Sequence, residues 1–141
     1  MHPALLHLHS GLRWIVLLLL IINVINAMGF MGGKPVTPQA KKYSLFGLIF
    51  THLQVVVGLI VYFFSQKVRF DSTTMSDSVA RFFTMEHTVM MLIAVILITL
   101  GHRQTKAGNG KRMFWYYFIA LLVILAAIPW PFRTALGGSW F

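Results

Sequence analysis

The sequence predicts an all-α integral membrane protein, an antiparallel four-helix bundle, and three observations predict it. Of 141 residues, 57% are hydrophobic and 11% charged, whereas an ordinary soluble domain has about 45–50% apolar and about 25% charged residues. The apolar residues fall into four runs, each near the span of about 20 residues that crosses the hydrocarbon core of a bilayer. The runs are joined by short connections, which favour up-and-down neighbours. Chain length alone would suit one soluble domain, but four spans and their connections use it up. Residues 1–141 thus read as a single transmembrane domain with spans at about 5–29, 44–65, 80–102 and 112–131.

The first span is densest from Trp14 to Val24 and is followed by Gly29, Gly32, Gly33, Lys34 and Pro35. Ile25-Asn26-Ala27 resembles a small-residue cleavage pattern, but no positive segment precedes the apolar run, so a retained helix is expected. Thr37-Pro38 announces the second helix, an N-cap residue followed by proline at the first helical position. A polar surface loop from Gln66 to Ser78 separates it from the third helix, which begins near Asp77 or Ser78 and is continuously apolar from Thr88 to Leu100. The fourth begins after Lys111-Arg112, and Pro129 and Pro131 end or kink it. Each run is too long and too evenly apolar for a strand.

The charges set the expected orientation. Twelve Lys/Arg stand against three Asp/Glu, a net charge of +9, and cytoplasmic loops retain the excess of Lys and Arg. Lys34, Lys41, Lys42, Arg103, Lys106, Lys111 and Arg112 fall on one side. Arg13, Lys67, Arg69, Arg81 and Arg133 fall on the other, with the acids Asp71, Asp77 and Glu86. Both termini are therefore expected on the non-cytoplasmic side of a bacterial inner (cytoplasmic) membrane, with the lipid bilayer as partner. Nucleic acid is not expected, because the charges flank apolar spans and form no continuous patch. Trp14, Tyr43, Trp115, Tyr116, Tyr117, Trp130 and Trp140 lie near span ends, as interfacial aromatic belts do.

The absence of cysteine excludes disulfides, thiolate metal sites, iron–sulfur clusters and a cysteine nucleophile. Carboxylates are too few for a bundle di-iron site, which uses four Glu and two His. Serine-hydrolase and phosphate-loop signatures are missing. Histidine remains, with six copies in a chain where an ionisable group inside a span is costly and marks function by default.

His2 and His7 lie near the free end and read as surface residues. The other four sit at successive depths. With the cytoplasmic edge set near Phe30, Leu45, Gly101 and Phe114, a rise of 1.5 Å per residue puts His9 at roughly 30 Å, His87 at about 20 Å, His52 at about 10 Å and His102 near zero. His87 and His102 are 15 positions apart and return to within about 60° of one helix face. This spacing resembles that of membrane b-type cytochromes, which stack two haems across the bilayer. Two haems would pair His9 with His87 and His52 with His102. One haem would take His52 with His87. The members of each pair differ in estimated height by about 10 Å, which tilt averaging about 20° absorbs in part.

Arg13 is one turn beyond His9 on nearly the same face and suits a haem propionate, or snorkels to the interface. Glu86 is a proton-handling carboxylate or an interfacial charge paired with Arg81. Gly47, Thr51, Gln54 and Gly58 form a stripe of small and polar residues suited to close helix packing. Met85, Met90 and Met91 read as core fillers or as lining of a haem or quinone pocket. Asn23 and Asn26 read as helix–helix glue or end polarity.

Three stretches, His9-Ser10-Gly11-Leu12-Arg13-Trp14, Thr51-His52 and Glu86-His87-Thr88, together with the span plan, are similar to the small four-helix membrane cytochromes of the bacterial cytochrome b561 group. The resemblance implies bis-histidine haem b, one or two, as cofactor, with iron ligands drawn from His9, His52, His87 and His102. It also implies electron transfer with a quinone or another redox partner, as an oxidoreductase or an electron-transfer subunit. The sequence departs from the usual plan in having no histidine in the fourth span. The competing readings are a cofactor-free proton or metal transporter that uses His52 and His87, and an accessory subunit that packs against a larger membrane complex.

Overall fold

A computed structural model of the chain describes residues 3–137; His2 and Trp140 lie outside the described residues. Four long helices carry the fold: α1 (Pro3–Phe30), α2 (Pro38–Phe64), α3 (Ser78–Lys106) and α4 (Gly110–Ala127). All four are long and apolar enough to cross a membrane. No strand occurs among the described residues.

The helix starts follow from their capping residues. Thr37 caps α2 by accepting the Ala40 N–H at 3.1 Å, with Pro38 next, where its missing N–H costs nothing. Asp77 caps α3 through Val79 and Ala80. Asn109 caps α4 by accepting from the Arg112 N–H, so this helix begins at Gly110, before the charged pair Lys111-Arg112. It stops at Ala127, just ahead of Pro129.

Helix α3 is not uniform. Its turn from Phe82 to Glu86 is a π-helix, immediately before His87. The wide turn carries the His87 N–H to the Phe82 carbonyl, and the Thr88 hydroxyl donates to the Phe83 carbonyl at 3.1 Å. The Thr84 carbonyl takes the Tyr62 hydroxyl from α2 at 3.1 Å. Such single π turns insert a residue into a helix and recur at functional sites.

Helix α1 packs on α2 and α4, and α3 packs on the same two helices. The core joins Leu17, Leu20 and Val24 of α1, Ala94 and Ile98 of α3, and Tyr117, Ala120 and Ile124 of α4. Small residues let the backbones approach; a Cβ on Gly101 would stand 2.9 Å from the Tyr117 ring. Outward faces carry large apolar side chains, among them Leu18, Ile25, Val56 and Ile96, each more than half exposed. A bilayer covers such surface, and water does not.

The contacts also correct the depth estimate for α1. Phe30 lies against Gly110, beyond the end of α3, whereas Asn23 donates to the Tyr43 carbonyl at 3.2 Å and abuts Gly47. The level shared with Leu45 on α2 is therefore near Asn23, seven residues earlier than Phe30, and seven residues of helix are about 10 Å. That removes the offset between His9 and His87.

Between α2 and α3 the loop is organised by charge. Arg69 pairs with Asp77 at 2.9 Å and Asp71 at 3.3 Å, and its carbonyl accepts the Thr74 hydroxyl at 2.7 Å. Hydrogen bonds from Thr73 hold the Asp71 carboxyl below its ordinary pKa, and the Ala80 N–H with the Arg69 guanidinium does the same for Asp77.

Candidate functional site

His9 of α1 and His87 of α3 face each other. Their ring centroids are 6.3 Å apart and their planes are inclined by 82°. The pair lines a cavity of about 410 Å³ that also takes in Arg13, Gln54, Gly58 and Phe83. Small-molecule and cofactor sites occupy about 300–1,000 Å³.

Each imidazole is set by its own helix and by one neighbour. His87 Nδ1 lies 2.7 Å from the Ala127 carbonyl at the end of α4. A carbonyl only accepts, so Nδ1 carries the hydrogen and, in the neutral ring, Nε2 keeps its lone pair. Phe82 and Phe83 from the π turn flank the same ring, at 5.7 Å and 6.5 Å between centroids. The His9 ring rests against α2 at Gly58, where a Cβ would come within 2.9 Å of its Cε1. Gln54, one turn before Gly58, donates from Nε2 to the His9 backbone carbonyl at 2.7 Å.

Two cations approach the cavity. Arg13 lies one turn along α1 from His9, its guanidinium 5.1 Å from the Trp14 ring and 5.9 Å from that of Trp130. Lys67, from the loop, stands 4.7 Å from the Phe83 ring centroid. No acidic residue is among the described residues lining the cavity.

The other sequence-predicted ligands lie elsewhere. His52 is exposed, with Nδ1 bonded to the Leu48 carbonyl of its own helix at 2.8 Å. It is two residues, or about 200° around the helix, from the cavity-lining Gln54, so the structure does not bring it to His87. His102 has Nδ1 2.8 Å from the Ser44 hydroxyl, which is bonded in turn to the buried Tyr117 hydroxyl. The structure does not join His52 and His102. Glu86 is paired with Arg81 at 2.7 Å and both are partly exposed, which is the interfacial ion pair of the sequence reading. His7 is exposed, also as read. Met91 lines the cavity, while Met85 is exposed. Sequence reasoning placed Gln54 and Gly58 in a packing stripe. They pack against α1 as expected, and it is His9 itself that they touch.

The imidazoles that line the cavity are those of His9 and His87. Among the described residues no group of three or more His, Asp or Glu gathers. Two imidazoles on opposite sides of one ion, each at about 2.0–2.1 Å, have ring centres roughly 6 Å apart. Compared with family models, curated proteins and solved structures, the chain matches none.

Proposed function

We propose that the chain is a haem b-binding membrane electron-transfer protein, with His9 and His87 as the axial ligands of one haem. The observation that carries this reading is the His9–His87 pair, 6.3 Å between centroids at the wall of a cofactor-sized cavity. His9 and His87 would hold the iron of a porphyrin, which would bring its own remaining nitrogen donors, and the largely apolar cavity between the helices would accommodate the macrocycle. When bound, haem b supplies reversible one-electron chemistry. The chain fixes the tautomer of His87 through the Ala127 carbonyl, excludes water with apolar side chains such as Val95 and Ile124, and holds Arg13 where a propionate carboxylate would be neutralised. Anchoring a porphyrin accounts for a cavity that has cations and no acid at its edge.

Antiparallel helices with both termini on the non-cytoplasmic side of a bacterial inner membrane follow from the basic residues. That orientation puts the haem nearer the outer face, where a quinone or a redox partner exchanges electrons with it. The resemblance to the cytochrome b561 group supports the same assignment.

The test is the visible spectrum of detergent-purified protein, oxidised and dithionite-reduced. A Soret band and a sharp reduced α band are expected, with pyridine haemochrome giving one haem per chain. A spectrum without either band sinks the proposal.

A further inference from the structure

Among the buried polar atoms at the cavity that make no hydrogen bond with the described residues, His9 Nδ1 and Gln54 Oε1 belong to residues that touch each other. The amide of Gln54 has a settled orientation, because its Nε2 donates to the His9 carbonyl and a carbonyl cannot donate in return. Its oxygen is therefore the remaining end. That amide is bonded to the His9 backbone, and Gly58, one turn on from Gln54, meets the His9 ring.

Resting on the haem reading above, we propose that Gln54 is the positioning residue for His9, its Oε1 accepting the Nδ1 hydrogen when His9 Nε2 ligates a metal. The chemistry is complementary. A ligating neutral imidazole must carry its hydrogen on the other nitrogen, and metal-bound histidines almost always donate that hydrogen to an acceptor. His87 already has its acceptor in the Ala127 carbonyl at 2.7 Å. His9 has no such partner among the described residues, and the one buried acceptor beside it that lacks a donor is Gln54 Oε1. Gly58, one turn further on α2, lets the His9 ring lie directly against α2, the helix that carries the amide.

The two ligands thereby differ in kind. His87 is held by a backbone carbonyl that no substitution at Ala127 removes. His9 is held by a side chain, so the electronic tuning of the site is concentrated at position 54. A stronger acceptor on Nδ1 raises ligand basicity and favours the oxidised metal; removal of the acceptor favours the reduced one.

Equilibrium redox titration of the purified full-length chain, monitored in the α band, tests this with Gln54→Glu and Gln54→Leu. The Glu variant is expected to shift the midpoint down and the Leu variant to shift it up. Together they should span at least a tenfold change in the preference for oxidised over reduced iron, 59 mV for a one-electron couple. Gln54→Asn, which withdraws the amide by one methylene, should move in the Leu direction and serves where Leu prevents assembly. Haem bound at the wild-type midpoint in the Glu and Asn variants overturns the role of Gln54 and leaves the haem assignment standing. Absence of haem from the wild-type chain overturns both.

Discussion

At the end of the bundle nearest the 65–77 loop, His9 and His87 face each other across a cavity. At the other end, His102 is tied through Ser44 to Tyr117 in close-packed surroundings. Both ends contain a histidine from α3, and the two lie 15 residues apart on it. What differs is the space left beside the ring. Near His9 the ring itself fills the place of the missing Gly58 side chain, and it still borders the cavity. Near His102 the missing side chain of Gly101 is replaced by the ring of Tyr117, fully buried, with Met113 and Ala120 also buried on α4. The two histidines of α3 thus differ in what their neighbours leave empty, a cavity beside one and a packed, hydrogen-bonded chain beside the other.

The largest expected effect breaks the two ends apart directly. His87→Ala and His9→Ala should each lower haem per protein, read by pyridine haemochrome, by more than tenfold. His102→Ala and His52→Ala should retain it, since one is hydrogen-bonded within a packed chain and the other lies on the outward face of α2. Full haem content in purified His87→Ala would contradict the comparison at its root.

Glycine substitutions sharpen it. A methyl at Gly58 would stand 2.9 Å from His9 Cε1, and one at Gly101 equally close to Tyr117 Cε1. Gly58→Ala should turn the His9 ring and weaken haem retention by about tenfold, the equivalent of 1.4 kcal/mol. Gly101→Ala should leave the haem spectrum unchanged and destabilise the fold by about 1–3 kcal/mol, the cost of overpacking a filled site. Equal spectral effects of the two would remove the distinction.

Much of this was legible in the sequence. Helix number, the Thr37-Pro38 start, the start of the third helix near Asp77 or Ser78 and the polar loop before it follow from apolar run length and capping chemistry, which are local properties. His9 with His87 was one of three pairings, and helix counting could not choose among them. Its vertical zero on α1 was about two turns off, because the apolar run continues to Phe30 although the level common to the bundle is near Asn23. The π turn before His87 was not legible, since nothing in Phe82-Phe83-Thr84-Met85-Glu86 distinguishes a wide turn from an ordinary one. Gln54 and Gly58 had a usable signal. His9 is 21 residues before the end of α1 and Gly58 is 20 residues after the start of α2. Two helices of nearly equal length joined by a short turn bring such positions to the same level.

Within the packed end, Ser44→Ala leaves the Tyr117 hydroxyl and His102 Nδ1 without the group that links them. The expected loss is about 1–3 kcal/mol for orphaning buried polar atoms, read as a lower urea midpoint in detergent. Haem content should be unchanged, because the chain does not reach the cavity. A fall in haem comparable to that of Gly58→Ala would mean that the two ends are coupled.

The smallest effect concerns the loop that borders the cavity through Lys67 and Val68. Asp71 and Asp77 both have carboxyl pKa values below the ordinary 3.8, lowered chiefly by Thr73 for Asp71 and by the Ala80 N–H and Arg69 for Asp77. A folded-state value below the unfolded one means that the carboxylates stabilise the loop above the unfolded pKa, and that this is lost as pH falls through the folded value. The loop should therefore keep its order from neutral pH down to about 4 and loosen only below that. Hydrogen exchange of residues 65–77, corrected for intrinsic rates, should rise below pH 4 while the core residues around Ile98 and Ala120 stay protected. Asp77→Asn keeps an oxygen for the cap but loses the ion pair with Arg69, so its loop should exchange faster at pH 6 and respond less to acid. An identical acid response in wild type and Asp77→Asn would show that the ion pairs of Arg69 do not hold the loop, in keeping with the small worth of exposed pairs, and would leave the Thr74 and Thr84 hydroxyls on the Arg69 backbone to do so.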